Sequence, residues 1–169
     1  MPLSIEELRS ASARRSAEAL TLTEARSLGL KTVFLCHSHH DADLIQGVLN
    51  HFSDEGWRVY VDWADEAMPE SPNRETAQRI QQKIVQLQYF VFLATPNSMA
   101  SRWCPWEIGY ADGKKSVDQI LILPTTDRSR RWHGSEYLQL YKKIDWAEGG
   151  GLGVWDPGET TGRRLYSFR

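Results

Sequence analysis

Three histidines stand close together in the segment CHSHHD, residues 36–41. Histidine is a common metal ligand, so this cluster is a candidate metal site. The ligands of a zinc ion must converge on one point, however, whereas neighbouring side chains in a tight turn point apart. We therefore favour a loop without a metal, in which Asp41 caps the helix that follows.

A second segment with chemical potential is SRWCPWE, residues 101–107. Its proline suits the first turn of a helix, which would make Cys104 the N-cap and Glu107 an acid in the first turn. The helix dipole stabilises an acid there by about 0.3–1 kcal/mol, and Trp103 would pack on Ile108 as a hydrophobic staple. A carboxylate beside a tryptophan is equally suited to catalysis. The pattern alone leaves both interpretations open.

The composition is that of one globular domain: 169 residues, 41% hydrophobic and 25% charged. The formal net charge is −2, and residues 31–126 hold eight basic and twelve acidic residues. This balance argues against binding to nucleic acid or to an anionic membrane. The sequence leads us to expect neither a transmembrane segment nor a signal peptide, and its two cysteines lack zinc spacing. We expect a cytoplasmic protein with reduced thiols.

Apolar segments typical of strands alternate with helical patterns along the chain. Strands are predicted at residues 32–36, 57–63, 89–97, 119–126 and, for a short last strand, 154–158. Helices are predicted at 41–56, 75–87, 101–115 and 135–144. This order predicts a flavodoxin-like α/β fold, a five-stranded parallel sheet with helices on both faces. Ligands bind beyond the carboxyl ends of such strands, near residues 36–41, 62–74, 95–107 and 124–134.

Residues 1–30 are predicted to form an N-terminal helical extension. Ser4 and Glu7 have the spacing of a capping box, which predicts a helix over residues 4–28. Its apolar stripe is thin, so we favour a surface helix or a partly ordered tail over an oligomerisation arm. Residues 31–169 then make up the main domain, with a motif-bearing core at 31–126 and a less regular part at 127–169.

Several motifs together resemble the Toll/interleukin receptor (TIR) domain of bacteria. The segment VFLCHSHHD at 33–41 resembles the family's opening F-I-S-x-S-H-x-D, and GWRVYVDW at 56–63 resembles its second strand. The polar BB loop corresponds to 64–74, and S-x-W-C-x-x-E at 101–107 is the family's most recognisable motif. The match is in the right order from 31 to about 126. It resembles in particular the stand-alone TIR component of Thoeris-type antiphage defence.

The resemblance implies an enzyme that cleaves the nicotinamide–ribose bond of NAD, with NAD as substrate and no separate cofactor. It implies that Glu107 is the catalytic carboxylate and that Trp103 covers the sugar or a ring. His37 stands where many members have an aromatic residue and is expected to stack on the substrate. The usual glycine of the family's BB loop is missing here, and Thr76 and Ser71 are the two candidates for the serine that follows it. The other expected substrate contacts are Ser38, Asp62 and Trp63.

The implied product is a cyclic ADP-ribose-type signal that activates a separate effector. The family also implies a homo-oligomer formed through TIR–TIR contacts. Two alternatives stay open at this point: a non-catalytic TIR–TIR scaffold, and a plain NAD hydrolase that releases linear ADP-ribose. A response regulator is a weaker alternative, because such a protein needs an acidic pocket after the first strand, which residues 37–39 do not supply.

Overall fold

A computed structural model of the protein describes residues 2–14, 25, 27–62, 73–129 and 131–168. Within these described residues the sheet contains nine strands. In chain order these are β1 Leu3–Ser4, β2 Lys31–Cys36, β3 Trp57–Tyr60, β4 Tyr89–Ala94, β5 Ile120–Thr126, β6 Trp132–His133, β7 Lys142–Trp146, β8 Leu152–Trp155 and β9 Gly162–Arg164. Five strands run parallel in the order β3-β2-β4-β5-β7. The predicted flavodoxin-like parallel sheet is confirmed.

Five α-helices connect the strands or precede them in the described parts of the chain. They are α1 Ile5–Ser12, α2 Ala42–Asp54, α3 Arg74–Gln86, α4 Pro96–Ala100 and α5 Cys104–Asp112. Side chains alternate across each strand, so the sheet has an apolar surface on both faces. Val33 and Leu35 of β2 join the apolar cluster that includes α2, whereas Phe34 and Cys36 join the cluster that includes α3 and α5. The side chain of Cys36 therefore faces α5.

The C-terminal part differs from the sequence-based prediction. Residues 136–140 form a short 3-10 helix and residues 142–146 form β7, where a helix was predicted over 135–144. The cause is Lys142, which is 8% exposed and buries its stem in the strand while its ammonium pairs with Asp118 and Asp156. The strand predicted at 154–158 is β8, which runs antiparallel to β7 rather than as a fifth parallel strand.

The N-terminal segment is part of the core. The predicted capping box of Ser4 and Glu7 is confirmed, but the helix ends at Ser12, and residues 15–24 of the predicted helix lie outside the described residues. Helix α1 buries Leu8 and Ala11 against the core and exposes Glu6, Glu7, Arg9 and Ser10, so it lies at the surface with one face packed, and β1 pairs with β5. At the crossing of α1 and α2, a Cβ on Gly47 would lie 2.0 Å from the Leu8 carbonyl oxygen. The division of the chain at residue 30 stays a prediction.

In the parts of the chain that the structure describes, no helix combines the length and the apolar character needed to cross a lipid bilayer.

Candidate active site

Glu107 lies in the first turns of α5, which begins near the carboxyl ends of β2 and β4. The side chain is buried, and its backbone N–H donates to the Trp103 carbonyl over 2.9 Å. The N-cap is Trp103 rather than the predicted Cys104, which is the first helical residue. The reason is Ser101, whose Oγ accepts from the N–H groups of Trp103 and Cys104 at 3.1 and 3.3 Å. Glu107 is thereby held rigidly at the edge of the sheet.

The carboxyl of Glu107 is surrounded by groups that favour its neutral form. Burial is the largest effect and raises its pKa from 4.5 to about 8, with smaller contributions in the same direction from Cys104 and Asp62. The nearby Cys36 thiol acts in the opposite direction and lowers this pKa. Glu107 is therefore mainly protonated at neutral pH, as is found for many catalytic acids and bases.

Two buried cysteines line the inner side of Glu107. The Sγ atom of Cys36 donates a weak hydrogen bond to the Cys104 carbonyl oxygen over 3.8 Å. Burial raises the pKa of the Cys36 thiol well above its usual range, so it is a neutral donor. Neither thiol is in a disulfide. The sequence does not reveal this contact, because 68 positions separate the two residues.

His37 lies at the carboxyl end of β2, close to Asp62. Its Nδ1 donates to the Leu35 carbonyl oxygen over 3.0 Å, and its Nε2 lies 3.8 Å from Oδ1 of Asp62. Burial is the largest effect on the pKa of His37 and lowers it below the ordinary 6.5. The exposed ring of His39 stacks on His37 at 6.0 Å and places its Nε2 3.7 Å from Oδ2 of Asp62. Asp62 is thus shared by two imidazoles.

Asp41 joins two loops of the site rather than capping α2. It occupies the N-cap position, but its side chain makes no capping hydrogen bond, so the predicted cap is wrong. Its carboxylate accepts from Thr95 Oγ1 at 2.5 Å and from Asn97 Nδ2 at 2.7 Å. Both donors follow β4 in the chain. The two hydrogen bonds to the Asp41 carboxylate therefore connect the loop after β2 to the loop after β4. Sequence analysis did not identify Thr95 or Asn97.

Trp103 belongs to an aromatic group on α5. Its ring meets Trp106 edge to face at 5.4 Å, and Trp106 stacks on Tyr110 at 6.1 Å. Trp103 is half-buried and packs against the cluster formed by α3, α5 and the sheet. It therefore has a packing role, and its contact with substrate stays a prediction.

The remaining predicted contact residues are not all brought together. Ser38 Oγ accepts from the His40 N–H at 3.3 Å at the end of β2. Thr76 forms a capping box with Asn73 at the start of α3, with both hydrogen bonds at 3.1 Å. Trp63 lies outside the described residues. Across the described ranges, no three His, Cys, Asp or Glu side chains are grouped so as to hold a metal ion.

Comparison with known proteins defines the class. Residues 33–151 match the TIR domain family, and the chain therefore belongs to that family. It is 35% identical over 114 residues to a protein of Bacillus cereus (strain MSX-D12) named as a 3' cyclic ADP-D-ribose synthase, ThsB'. The alignment covers 66% of this chain and 59% of that relative. A protein of Cytobacillus dafuensis named as a cyclic ADP-D-ribose synthase, TIR2, is 28% identical over 82 residues, which cover 47% of this chain and 22% of the relative.

Proposed function

We propose that this protein cleaves the nicotinamide–ribose bond of NAD and closes the ADP-ribose part into a cyclic nucleotide. The observation that carries the proposal is Glu107, a buried carboxyl at the carboxyl edge of a parallel sheet, within the S-x-W-C-x-x-E segment of a TIR domain. Both relatives are named for cyclic ADP-D-ribose synthesis.

The chemistry fits one carboxyl. Nicotinamide is cationic in NAD and leaves as a neutral molecule, so no general acid is needed. Positive charge then develops at C1 of the ribose, and a carboxylate stabilises this oxocarbenium-like state. The cationic nicotinamide ring of bound NAD favours the ionised form of Glu107. Its charge therefore lowers the pKa of Glu107, against the effect of burial. The charge on Glu107 is thus produced where and when substrate binds.

The product assignment separates this proposal from a plain hydrolase. The Bacillus cereus relative is named for a 3' cyclic product. A cyclic product forms only if a group at the adenosine end of ADP-ribose reaches C1 before water does, so the site must hold a folded substrate and exclude solvent. The half-buried Trp103 and buried His37 supply apolar surface for that purpose.

The partners follow from this chemistry and are part of the proposal. The cyclic nucleotide acts as a diffusible signal to a separate effector protein in bacterial antiphage defence. The enzyme works in the cytoplasm, where NAD is abundant, and self-associates through TIR–TIR contacts. A scaffold that only docks on other TIR domains is the competing function, and it requires no reaction with NAD.

The test is incubation of the purified protein with NAD, followed by mass spectrometry and quantification of nicotinamide. We expect nicotinamide together with a nucleotide lighter than ADP-ribose by one water, and loss of both in Glu107→Gln. Nicotinamide with linear ADP-ribose alone would leave a plain hydrolase. Absence of any turnover, with and without added phage-infected cell extract as trigger, would favour the scaffold.

A further inference from the structure

The imidazole of His37 presents a buried nitrogen without a hydrogen-bond partner. Because Nδ1 donates to the Leu35 carbonyl oxygen, the neutral ring carries its lone pair on Nε2. Within the described parts of the chain, nothing forms a hydrogen bond with this buried Nε2. Leaving such an atom unsatisfied costs free energy, because its hydrogen bond to water is lost without replacement. An exception of this kind in a folded protein calls for a reason, and ligand chemistry is one.

Asp62 lies beside Nε2 of His37 and limits the kind of ligand group that fits there. Its Oδ1 lies 3.8 Å from Nε2, and its side chain is 16% exposed, so the pair reaches solvent on the Asp62 side. Both groups offer lone pairs when His37 is neutral, and an O–H group placed between them would satisfy the imidazole. The arrangement therefore suits a hydrogen-bond donor, such as a ribose hydroxyl, rather than an acceptor group.

The charges that face His37 allow it to act as a base near neutral pH. Burial lowers its pKa, while the carboxylates of Asp62 and Asp41 and the hydrogen bond to Leu35 oppose this, and His39 adds to the lowering. The ring is therefore neutral at pH 7 and able to accept a proton. Once it is protonated, Asp62 stabilises the imidazolium.

We propose, on the basis of the NAD reaction above, that His37 is the general base of ring closure: its Nε2 takes the proton of the ribose hydroxyl that attacks C1. In this step the bond from C1 to the nicotinamide nitrogen breaks, and its electron pair leaves with nicotinamide. A bond forms between the hydroxyl oxygen and C1, and the hydroxyl proton moves to Nε2. The imidazolium later gives the proton to solvent, so NAD yields nicotinamide, the cyclic nucleotide and one proton.

The proposal separates two half-reactions that a pyridine probe can distinguish. A pyridine such as 3-acetylpyridine attacks C1 through a nitrogen that carries no proton, so exchange of nicotinamide for this probe needs bond cleavage but no base. Ring closure through a hydroxyl needs cleavage of the nicotinamide–ribose bond and also a base that takes the hydroxyl proton. Loss of a general base must therefore reduce cyclisation and spare exchange.

The test uses His37→Asn, because the Asn amide can still donate to the Leu35 carbonyl while the basic Nε2 is removed. His40→Asn is the matched control, since His40 lies in the same loop and its side chain is exposed. We expect cyclic product from His37→Asn to fall about 100-fold, the low end of general-base effects. Exchange with 3-acetylpyridine is expected to stay at the wild-type rate, and the control is expected to keep both activities.

Equal loss of exchange and cyclisation in His37→Asn, at unchanged melting temperature, would overturn the base role and leave a binding residue. Unchanged cyclisation would overturn it as well. A wild-type protein that neither releases nor exchanges nicotinamide would instead overturn the proposed function, and the base with it.

A measurement on the wild-type protein covers the case in which the variant does not fold. The ratio of cyclic to exchange product should rise with pH along a single ionisation whose pKa lies below the ordinary histidine value of 6.5. A ratio of cyclic to exchange product that stays constant as the pH falls below 6.5 would overturn the proposal.

Discussion

The carboxylate of Asp41 and the hydroxyl of Thr95 form a hydrogen bond of 2.5 Å across 54 positions of the chain. Asn97 donates to the other carboxylate oxygen over 2.7 Å. The loop that carries His37 is thereby fixed to the loop that leads into α4. Rigid support of this kind holds reacting groups at the distances that catalysis requires.

Asp41→Asn should destabilise the protein by about 1–3 kcal/mol. The substituted amide has one acceptor oxygen, so its NH2 group meets either the Thr95 hydroxyl or the Asn97 amide, which both donate to Asp41 in the native protein. Urea unfolding measures the change in the free energy of unfolding.

The matched control is Asp43→Asn in the same helix. Asp43 is half-exposed and pairs with Arg9, a surface contact of about 0–1 kcal/mol. Equal losses in the two variants would show that the Asp41 network contributes no more than a surface ion pair.

Glu107→Gln should become more stable relative to the wild type as the pH rises from 4.5 to about 8. The native carboxyl keeps its proton over this range because its pKa is about 8, whereas the unfolded chain releases it near 4.5. Wild-type stability therefore falls with pH, by at most about 1.4 kcal/mol per pH unit from this group, and levels off above the native pKa. Glutamine does not titrate. Thermal melts at several pH values measure the difference.

Glu75→Gln provides the same chemical change on the surface, since Glu75 is 58% exposed and pairs with Arg79 on α3. Its thermal melts between pH 4.5 and about 8 give the reference against which the Glu107→Gln difference is measured. A rise of equal size in both variants would contradict a buried neutral Glu107.

Substitutions of Cys36 should move the titration of Glu107 in opposite directions. The Cys36 thiol lowers the pKa of Glu107, so Cys36→Ala should raise that pKa above about 8. Cys36→Ser replaces a weak donor by a stronger one and should lower it. Carbon NMR of the labelled Glu107 carboxyl gives the midpoint without any assay of activity. Identical midpoints in both variants would show that the thiol does not reach the carboxyl.

Gly47→Ala should strongly destabilise the protein through its N-terminal segment. The added Cβ would lie 2.0 Å from the Leu8 carbonyl oxygen, so α1 must move away from α2. Gly109→Ala is the matched control, because it lies on α5 with open space around its Cβ. It should stabilise the helix by about 1 kcal/mol. Melting temperatures that change little in Gly47→Ala would indicate that α1 does not pack on α2 in solution.

Specific activity with NAD should rise with protein concentration, because we propose that TIR–TIR contacts complete the substrate site. A dilution series monitored by light scattering and nicotinamide release measures both quantities on one sample. Constant turnover per molecule in a protein shown to be monomeric would contradict this expectation.

The parallel sheet was predictable because its central strands are continuous apolar segments, as burial on both faces requires. Residues 89–94 contain six buried side chains in succession. Strand β7 was missed because Lys142 and Asp145 look solvent-exposed in the sequence, although both are buried. The environment of Lys142 depends on Asp118 and Asp156, which no local pattern reveals.

The site was predictable only in part. The segment at 101–107 indicated Glu107 and Trp103 as site residues because it resembles a TIR motif. Its residue types alone were explained equally well by the start of a helix. The contacts of Cys36 with Cys104 and of Asp41 with Thr95 depend on how parallel strands align their carboxyl ends. Such contacts are tertiary and leave no trace in residue spacing.

The pairing of Leu3 with Thr125 has a consequence for synthesis on the ribosome. Leu3 emerges early from the exit tunnel, but its partner strand β5 emerges only after most of the sheet has been translated. Helix α1 can meet α2 long before then, so the N-terminal segment is first held by a helix and only later by a strand. Strand β1 is thus made well before its partner strand exists, and a nascent chain stalled before β5 would leave the apolar side chain of Leu3 unprotected.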